Sequence, residues 1–148
     1  MVGIVGDYSL QFHIEELAVA AQYRVPFLLI VLNNAYLGLI RQAERGYGMD
    51  FEVQLGFNNI NAPELDGYGV DHVKAAEAFG CVATRVFAPE RIAEAIQWAR
   101  REMAEKRVPA LVEIITEVTN IAMGPEIDQI TEFEETIDLP PARAKELA

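Results

Sequence analysis

The sequence predicts an α/β domain built on a parallel sheet with helices on both of its faces. Two apolar runs, at residues 2–5 and 27–32, are continuous rather than alternating, which is typical of parallel strands that are covered on both sides. Helical spacing of apolar residues separates the runs, so strand and helix alternate along the chain. A length of 148 residues fits one ordinary domain.

The first half of the chain is predicted to contain two strands and two helices. The first strand ends at Gly6-Asp7, and the apolar positions that follow fit one helix over residues 10–23. The second strand ends at Asn33-Asn34, and a short helix is predicted over 37–45. Residues 46–69 are rich in Gly, Asn, Asp and Pro and are predicted to form a long loop.

The second half repeats the alternation. Asp71 is a suitable N-cap for a helix that Gly80 ends. The elements predicted after it are a strand at 82–87, a helix from 89 to about 106, and a last strand at 110–115. We therefore assign residues 1–118 to the α/β domain and residues 119–148 to an acidic C-terminal tail. The domain opens on a core strand, so we expect it to be truncated at its N-terminal side.

Composition excludes several classes of function. The chain has 23 acidic and 12 basic residues and a net charge of −11, which repels nucleic acids and anionic membranes. It contains no apolar run long enough to cross a bilayer. Cys81 is the single cysteine, which excludes an internal disulfide framework and a multi-cysteine metal cluster. A reducing, cytoplasmic location is expected.

Polar residues close the first two strands in a pattern that suits a metal ion. Gly6-Asp7 ends one strand and Asn33-Asn34 ends the next. If the two strands are neighbours, their ends lie roughly 5 Å apart. A carboxylate and an amide oxygen are ligands suited to Mg²⁺, which completes its shell with water and ligand phosphates. Two ordinary turns would use the same residue types, so both interpretations stay open at this point.

This spacing resembles the cofactor motif of thiamine-diphosphate enzymes. The resemblance implies three magnesium ligands: the side chains of Asp7 and Asn34 and the backbone carbonyl of Tyr36. The cofactor-binding residues it implies are Gly6, Asp7, Tyr8, Ser9, Asn34, Tyr36, Leu37 and Gly38. The family usually has glycine where this chain has Tyr8, and tyrosine fits there only if the backbone avoids positive φ.

Longer blocks of the sequence resemble particular branches of the thiamine-diphosphate enzymes. Residues 33–42 and 71–80 resemble the acetohydroxyacid-synthase branch of these enzymes. Residues 58–61 with 66–72, and residues 118–124 with 132–134, resemble the glyoxylate carboligase family. That family implies decarboxylation of glyoxylate and its ligation to a second glyoxylate, giving tartronate semialdehyde and CO₂. It also implies thiamine diphosphate and Mg²⁺ as cofactors, with FAD in a separate domain of the full-length enzyme.

The resemblance covers only the C-terminal part of that family's subunit. It implies a homo-oligomer in which the pyrimidine-binding domain of a partner subunit completes the site, so this chain alone is expected to be inactive. Leu39 and Ile40 are substrate-side candidates, because pyruvate-decarboxylase relatives carry a carboxylate at the position of Ile40. An apolar residue there favours carboligation over aldehyde release.

Several alternatives stay open. The chain could belong to an acetolactate-synthase-like carboligase of 2-keto acids, or it could be a non-catalytic assembly module with the same fold. The acidic tail could be a lid over the site or a solvated end. His13 and His72 are interpreted as ordinary surface or partly buried helix residues. Cys81 is interpreted as a buried, inert thiol.

Overall fold

The computed structural model describes residues 1–49 and 55–117. Four parallel strands form one sheet in the order β1-β2-β4-β3. The strands are β1 (Val2–Gly6), β2 (Leu28–Asn33), β3 (Val82–Val86) and β4 (Ala110–Ile115). The predicted parallel α/β architecture is confirmed.

Within the described ranges, five α-helices accompany these strands. They are α1 (Asp7–Gln11), α2 (Glu16–Gln22), α3 (Gly38–Gly46), α4 (His72–Ala78) and α5 (Ile92–Lys106). Short 3₁₀ helices occur at Pro63–Leu65 and at Pro89–Arg91, so the predicted helix from residue 89 begins as a 3₁₀ turn. No helix among residues 1–49 and 55–117 is long and apolar enough to cross a membrane.

Both faces of the sheet carry an apolar core, because side chains alternate along each strand. Leu111 packs with Leu10 and Leu17 from the α1–α2 region and with Ala76 of α4. Val112, the next residue of β4, packs on the opposite face with Ala99 of α5. The helices therefore cover two faces, as the continuous apolar runs predict.

The single helix predicted over residues 10–23 is wrong. The chain forms α1 and α2, and the turns between them are joined by backbone hydrogen bonds three residues apart, such as His13 N to Leu10 O and Glu16 N to His13 O. These tighter turns still bury both Leu10 and Leu17 in the same core. Apolar spacing predicts that Leu17 faces inward, and it does not distinguish one helix from two short ones.

Residues 38–49, which contain α3, form a unit separate from the sheet domain. Residues 46–49 and 55–69 of the predicted long loop are among the described residues. Its section from residue 55 to 69 contains the 3₁₀ helix and joins the sheet domain, where the Tyr68 hydroxyl donates to the Thr116 carbonyl at 2.9 Å. The predicted acidic tail, residues 119–148, lies outside the described residues.

Candidate functional site

Two neighbouring strands deliver the predicted metal ligands to one edge of the sheet. β1 and β2 are paired in parallel, with Gly6 opposite Leu32. Asp7 and Asn33 follow at the same level, so both turns leave the sheet side by side. The adjacency on which the magnesium prediction depends is therefore present.

Asp7 is a buried carboxylate with one oxygen left unpaired. It is the first residue of α1 and is 3% exposed. Its Oδ1 accepts from the Tyr8 amide at 2.9 Å, whereas Oδ2 is buried and has no hydrogen-bond partner in the described part of the chain. Burial raises the pKa of the Asp7 carboxyl, and hydrogen bonds from backbone amides offset only part of that effect. Such an oxygen suits a cation.

The two asparagines that end β2 have different partners. Asn34 Oδ1 accepts from the Tyr36 amide at 3.1 Å, closing a turn around Ala35, which has a φ of +66°. Asn33 is fully buried, and its Nδ2 donates to Glu113 Oε1 at 2.7 Å. Asn33 is therefore engaged inside the domain, and Asn34 is the amide of the pair that belongs to the predicted ligand set.

The donor chemistry fits magnesium. The predicted ligands are the Asp7 carboxylate, the Asn34 amide oxygen and the Tyr36 carbonyl, all of them hard oxygens. Among residues 1–49 and 55–117, no three His, Cys, Asp or Glu side chains converge on a common point. Three protein oxygens leave half of an octahedral shell to phosphate and water, as Mg²⁺ prefers. The ligand set stays a prediction.

The predicted diphosphate contacts begin at Gly6. A Cβ built on Gly6 would meet no atom of the described residues within 4 Å, so packing among those residues does not require glycine there. Tyr8 and Ser9 lie in the first turn of α1, and the Tyr8 amide donates to Asp7 Oδ1 at 2.9 Å. Tyr8 has right-handed helical backbone, so a tyrosine at the family's usual glycine position is sterically compatible.

The remaining predicted residues lie on both sides of the start of α3. Leu37 precedes the helix and Gly38 is its first residue. Leu39 and Ile40 follow in the first turn and are 45% and 47% exposed. Their substrate-side role stays a prediction.

A buried polar network below the two turns was not predicted. Glu113 is fully buried and accepts from three donors: Asn33 Nδ2 and His72 Nδ1, each at 2.7 Å, and Arg85 Nε at 2.5 Å. Burial alone raises the pKa of the Glu113 carboxyl, but the hydrogen bond from His72, the charge of Arg85 and the hydrogen bond from Asn33 outweigh it, so the pKa lies below its ordinary value. Arg85 also donates to the Asp71 carboxylate at 2.6 Å.

His72 corrects one sequence interpretation. It is fully buried, not an ordinary surface or partly buried residue, whereas His13 is exposed as expected. The signal in the sequence was the charge of Glu113 and Arg85, each lying within a largely apolar strand. A charged residue in a buried strand needs a partner, and His72 is one of those partners.

The chain is similar to known proteins in sequence and in fold. Residues 1–114 match the family model described as the thiamine pyrophosphate enzyme, C-terminal TPP binding domain. Glyoxylate carboligase from Escherichia coli O157:H7 is 57% identical over 93% of this chain and 23% of its own length. The large subunit of acetolactate synthase from Haemophilus influenzae is 30% identical over 67% of this chain and 16% of its own length.

A solved structure agrees with the sequence matches. The thiamine diphosphate-dependent 4-hydroxybenzoylformate decarboxylase from Rhodococcus jostii RHA1 superposes with a TM-score of 0.57 at 29% identity, covering 81% of this chain and 20% of that one. This chain therefore spans less than a quarter of the length of each of these relatives.

Proposed function

We propose that this chain, which belongs to the family of thiamine pyrophosphate enzyme C-terminal TPP-binding domains, is the diphosphate-binding part of a glyoxylate carboligase. The reaction would convert two molecules of glyoxylate into tartronate semialdehyde and CO₂. The observation that carries this proposal is the 57% identity to glyoxylate carboligase over 93% of the chain.

The proposed task of this chain is to hold the charged end of the cofactor. Asp7, Asn34 and the Tyr36 carbonyl would bind Mg²⁺, and the unpaired Asp7 Oδ2 supports this assignment. Backbone amides of Tyr8 and Ser9 at the start of α1, together with Gly6, Leu37 and Gly38, would contact the diphosphate. When bound, thiamine diphosphate supplies the electron sink for decarboxylation.

The net charge of −11 makes the metal important. A diphosphate approaches an acidic protein against repulsion, and a bound divalent cation reverses the local sign of the field. We therefore expect thiamine diphosphate to bind only together with Mg²⁺.

The proposed substrate side begins at Leu39 and Ile40. Ile40 carries no ionisable group, so it offers no proton at the position where the pyruvate-decarboxylase relatives have a carboxylate. An apolar residue at this position would favour carbon–carbon bond formation over release of an aldehyde. Glyoxylate is favoured over pyruvate, because identity to the acetolactate synthase of H. influenzae is only 30%.

We further propose that other parts of a larger enzyme complete the site. Val2, Ile4 and Leu32 are apolar and 61%, 66% and 42% exposed, which supports coverage by another domain or subunit. The expected partner is the pyrimidine-binding domain of a second subunit in a homo-oligomer. FAD would belong to a separate domain of that enzyme. A reducing, cytoplasmic location is consistent with the buried free thiol of Cys81.

The test is calorimetric titration of the chain with thiamine diphosphate, in the presence and absence of Mg²⁺. We expect binding that requires Mg²⁺ and that is lost in Asn34→Ala. Asn58→Ala, which changes an exposed loop asparagine, is the matched control and should bind like the wild type. Absence of binding by a chain that melts cooperatively would favour the non-catalytic assembly module instead.

Activity gives a second test. The purified 148-residue chain, supplied with glyoxylate, Mg²⁺ and thiamine diphosphate, is expected to form no tartronate semialdehyde. Formation of that product by the chain alone would show that no partner domain is needed.

A further inference from the structure

The inference concerns Glu113, a fully buried carboxylate on β4. Both of its oxygens are occupied: Oε1 accepts from His72 Nδ1 and Asn33 Nδ2, and Oε2 accepts from Arg85 Nε. Because a carboxylate can only accept, Nδ1 of His72 carries a proton in this contact. Glu113 thus fixes three side chains that come from β2, β3 and the start of α4.

The contact with Asn33 extends to one of the two proposed ligand turns. Asn33 Oδ1 accepts from the Ala35 amide at 2.9 Å, and Ala35 has a φ of +66°. A left-handed conformation is unfavourable for a residue with a side chain and persists where its surroundings hold it. Asn34 and Tyr36, the proposed magnesium ligands of this turn, lie on either side of Ala35. Their orientation therefore depends on the Asn33 side chain, which Glu113 holds.

The contact with His72 extends toward the other proposed ligand turn. Nε2 of His72 lies 3.0 Å from the Gln11 side-chain nitrogen, which donates to it. Gln11 is the last residue of α1, and Asp7 is the first. Glu113 is thus connected to the Ala35 turn through the Asn33 side chain, and to the helix that Asp7 begins through the side chains of His72 and Gln11.

We propose that Glu113 is a positioning residue for the magnesium–diphosphate site, acting through Asn33 and His72. This inference rests on the proposed function. Glu113 would touch neither the ion nor the cofactor, and would instead hold the Ala35 turn in its left-handed form before the ion arrives. Residues that orient metal ligands in this way typically change metal affinity by about 10–100-fold when they are altered.

The variant that tests this is Glu113→Gln, which keeps the shape and removes the charge. The new NH₂ group must face either Arg85 Nε or the pair of donors on the other side, so at least one donor loses its acceptor. The matched control is Val112→Ala, because Val112 is the preceding residue of β4, is equally buried and faces the opposite core. It weakens packing without touching the network.

Two measurements are made on the 148-residue chain. The first is hydrogen exchange at the Ala35 amide, which is expected to be at least tenfold faster in Glu113→Gln and unchanged, relative to neighbouring strand amides, in Val112→Ala. The second is titration with thiamine diphosphate and MgCl₂, in which Glu113→Gln should bind at least tenfold more weakly and Val112→Ala like the wild type. A merely structural role would give both variants the same pattern.

The outcomes separate the inference from the function on which it rests. If the wild type does not bind thiamine diphosphate with Mg²⁺, the proposed function fails, whatever exchange shows. Unchanged exchange at Ala35 in Glu113→Gln overturns the positioning role, even where binding is intact. If Glu113→Gln does not fold, Arg85→Lys replaces it, because lysine keeps the charge and cannot bridge Glu113 and Asp71 with one planar group. Arg85→Lys should show the same changes to a smaller extent. Exchange and binding that both match the wild type would overturn the proposal.

Discussion

Replacing Asp7 with asparagine should stabilise the chain in the absence of magnesium. The Asp7 carboxylate is 3% exposed, and its Oδ2 has no hydrogen-bond partner among the described residues. An ionised group in that position loses its hydration, and few hydrogen bonds replace the lost water. Asp7→Asn keeps the shape and removes the charge, so the folded state no longer carries this cost.

The magnitude follows from the single unpaired oxygen. Leaving a buried polar atom unsatisfied costs about 1–3 kcal/mol, and the asparagine NH₂ group would itself lack a partner. We therefore expect a gain at the lower end, about 1 kcal/mol in the free energy of unfolding at pH 7. For a chain of this size that corresponds to a rise of about 3 °C in Tm.

The direction of the pKa shift of Asp7 determines how the stability gain of Asp7→Asn changes with pH. Burial raises the pKa of Asp7 in the folded chain, so the folded state holds its proton more tightly than the unfolded state does. Stability from that proton is fully present below the unfolded pKa of about 4 and is lost as pH rises through the folded pKa. The advantage of Asp7→Asn should therefore be greatest near pH 7 and shrink as pH falls toward 4.

Urea denaturation in EDTA buffers from pH 4 to 7 measures this difference. Asp71→Asn is a control of opposite sign, because the pKa of Asp71 is lowered: burial raises it, but the Lys74 amide and Arg85 outweigh that effect. Asp71→Asn should cost about 1–2 kcal/mol at pH 7, since it weakens a charged hydrogen bond. A less stable Asp7→Asn at pH 7, or a gain independent of pH, would refute the reasoning.

Two further predictions concern Gly6 and Cys81. Gly6→Ala should change the free energy of unfolding by less than about 0.5 kcal/mol, because its Cβ meets none of the described atoms within 4 Å. The same variant should weaken thiamine diphosphate binding at least tenfold by calorimetry. Gly69→Ala, whose Cβ would clash with the Leu55 carbonyl oxygen, should instead destabilise the chain; a Gly6→Ala variant that binds normally would contradict backbone contact there. Cys81 should resist a thiol reagent at pH 8 until urea is added, because burial raises the pKa of its thiol to about 11, and rapid labelling of the folded chain would show that the site opens.

The strands and their order of appearance were predictable because a short, continuous apolar run between turn residues is typical of a buried parallel strand. Residues 110–115 were predicted and form β4 with the same bounds. Asp71 caps α4 as expected, with its Oδ1 accepting from the Lys74 amide. Local hydrogen-bonding chemistry of this kind is contained in a few adjacent residues, so the sequence alone is sufficient to identify it.

The polar network was not predictable in the same way. Asn33 and Glu113 are 80 positions apart, and their contact exists only because β2 and β4 are neighbours in the sheet. Strand order cannot be read from apolar runs, since each run is compatible with several places in a sheet. The same limit applies to His72, whose position at the start of a helix suggested an ordinary exposure that long-range packing overrides.

The carboxylates of Asp7, Asp71 and Glu113 are withdrawn from solvent, and they differ in whether other side chains balance their charge. This difference distinguishes a proposed metal ligand from residues that support the fold. Glu113 and Asp71 have donors enough to lower their pKa values despite burial. Both oxygens of Glu113 accept hydrogen bonds, and Asp71 Oδ2, although it accepts none, lies 3.0 Å from the Lys74 ammonium. Burial instead raises the pKa of Asp7, whose Oδ2 has neither a hydrogen-bond partner nor a cation in the described residues. A domain that balances two such charges with its own side chains has no evident structural use for the third. The free oxygen of Asp7 therefore favours a cation from outside the chain, which is the role that the proposed magnesium–diphosphate site requires.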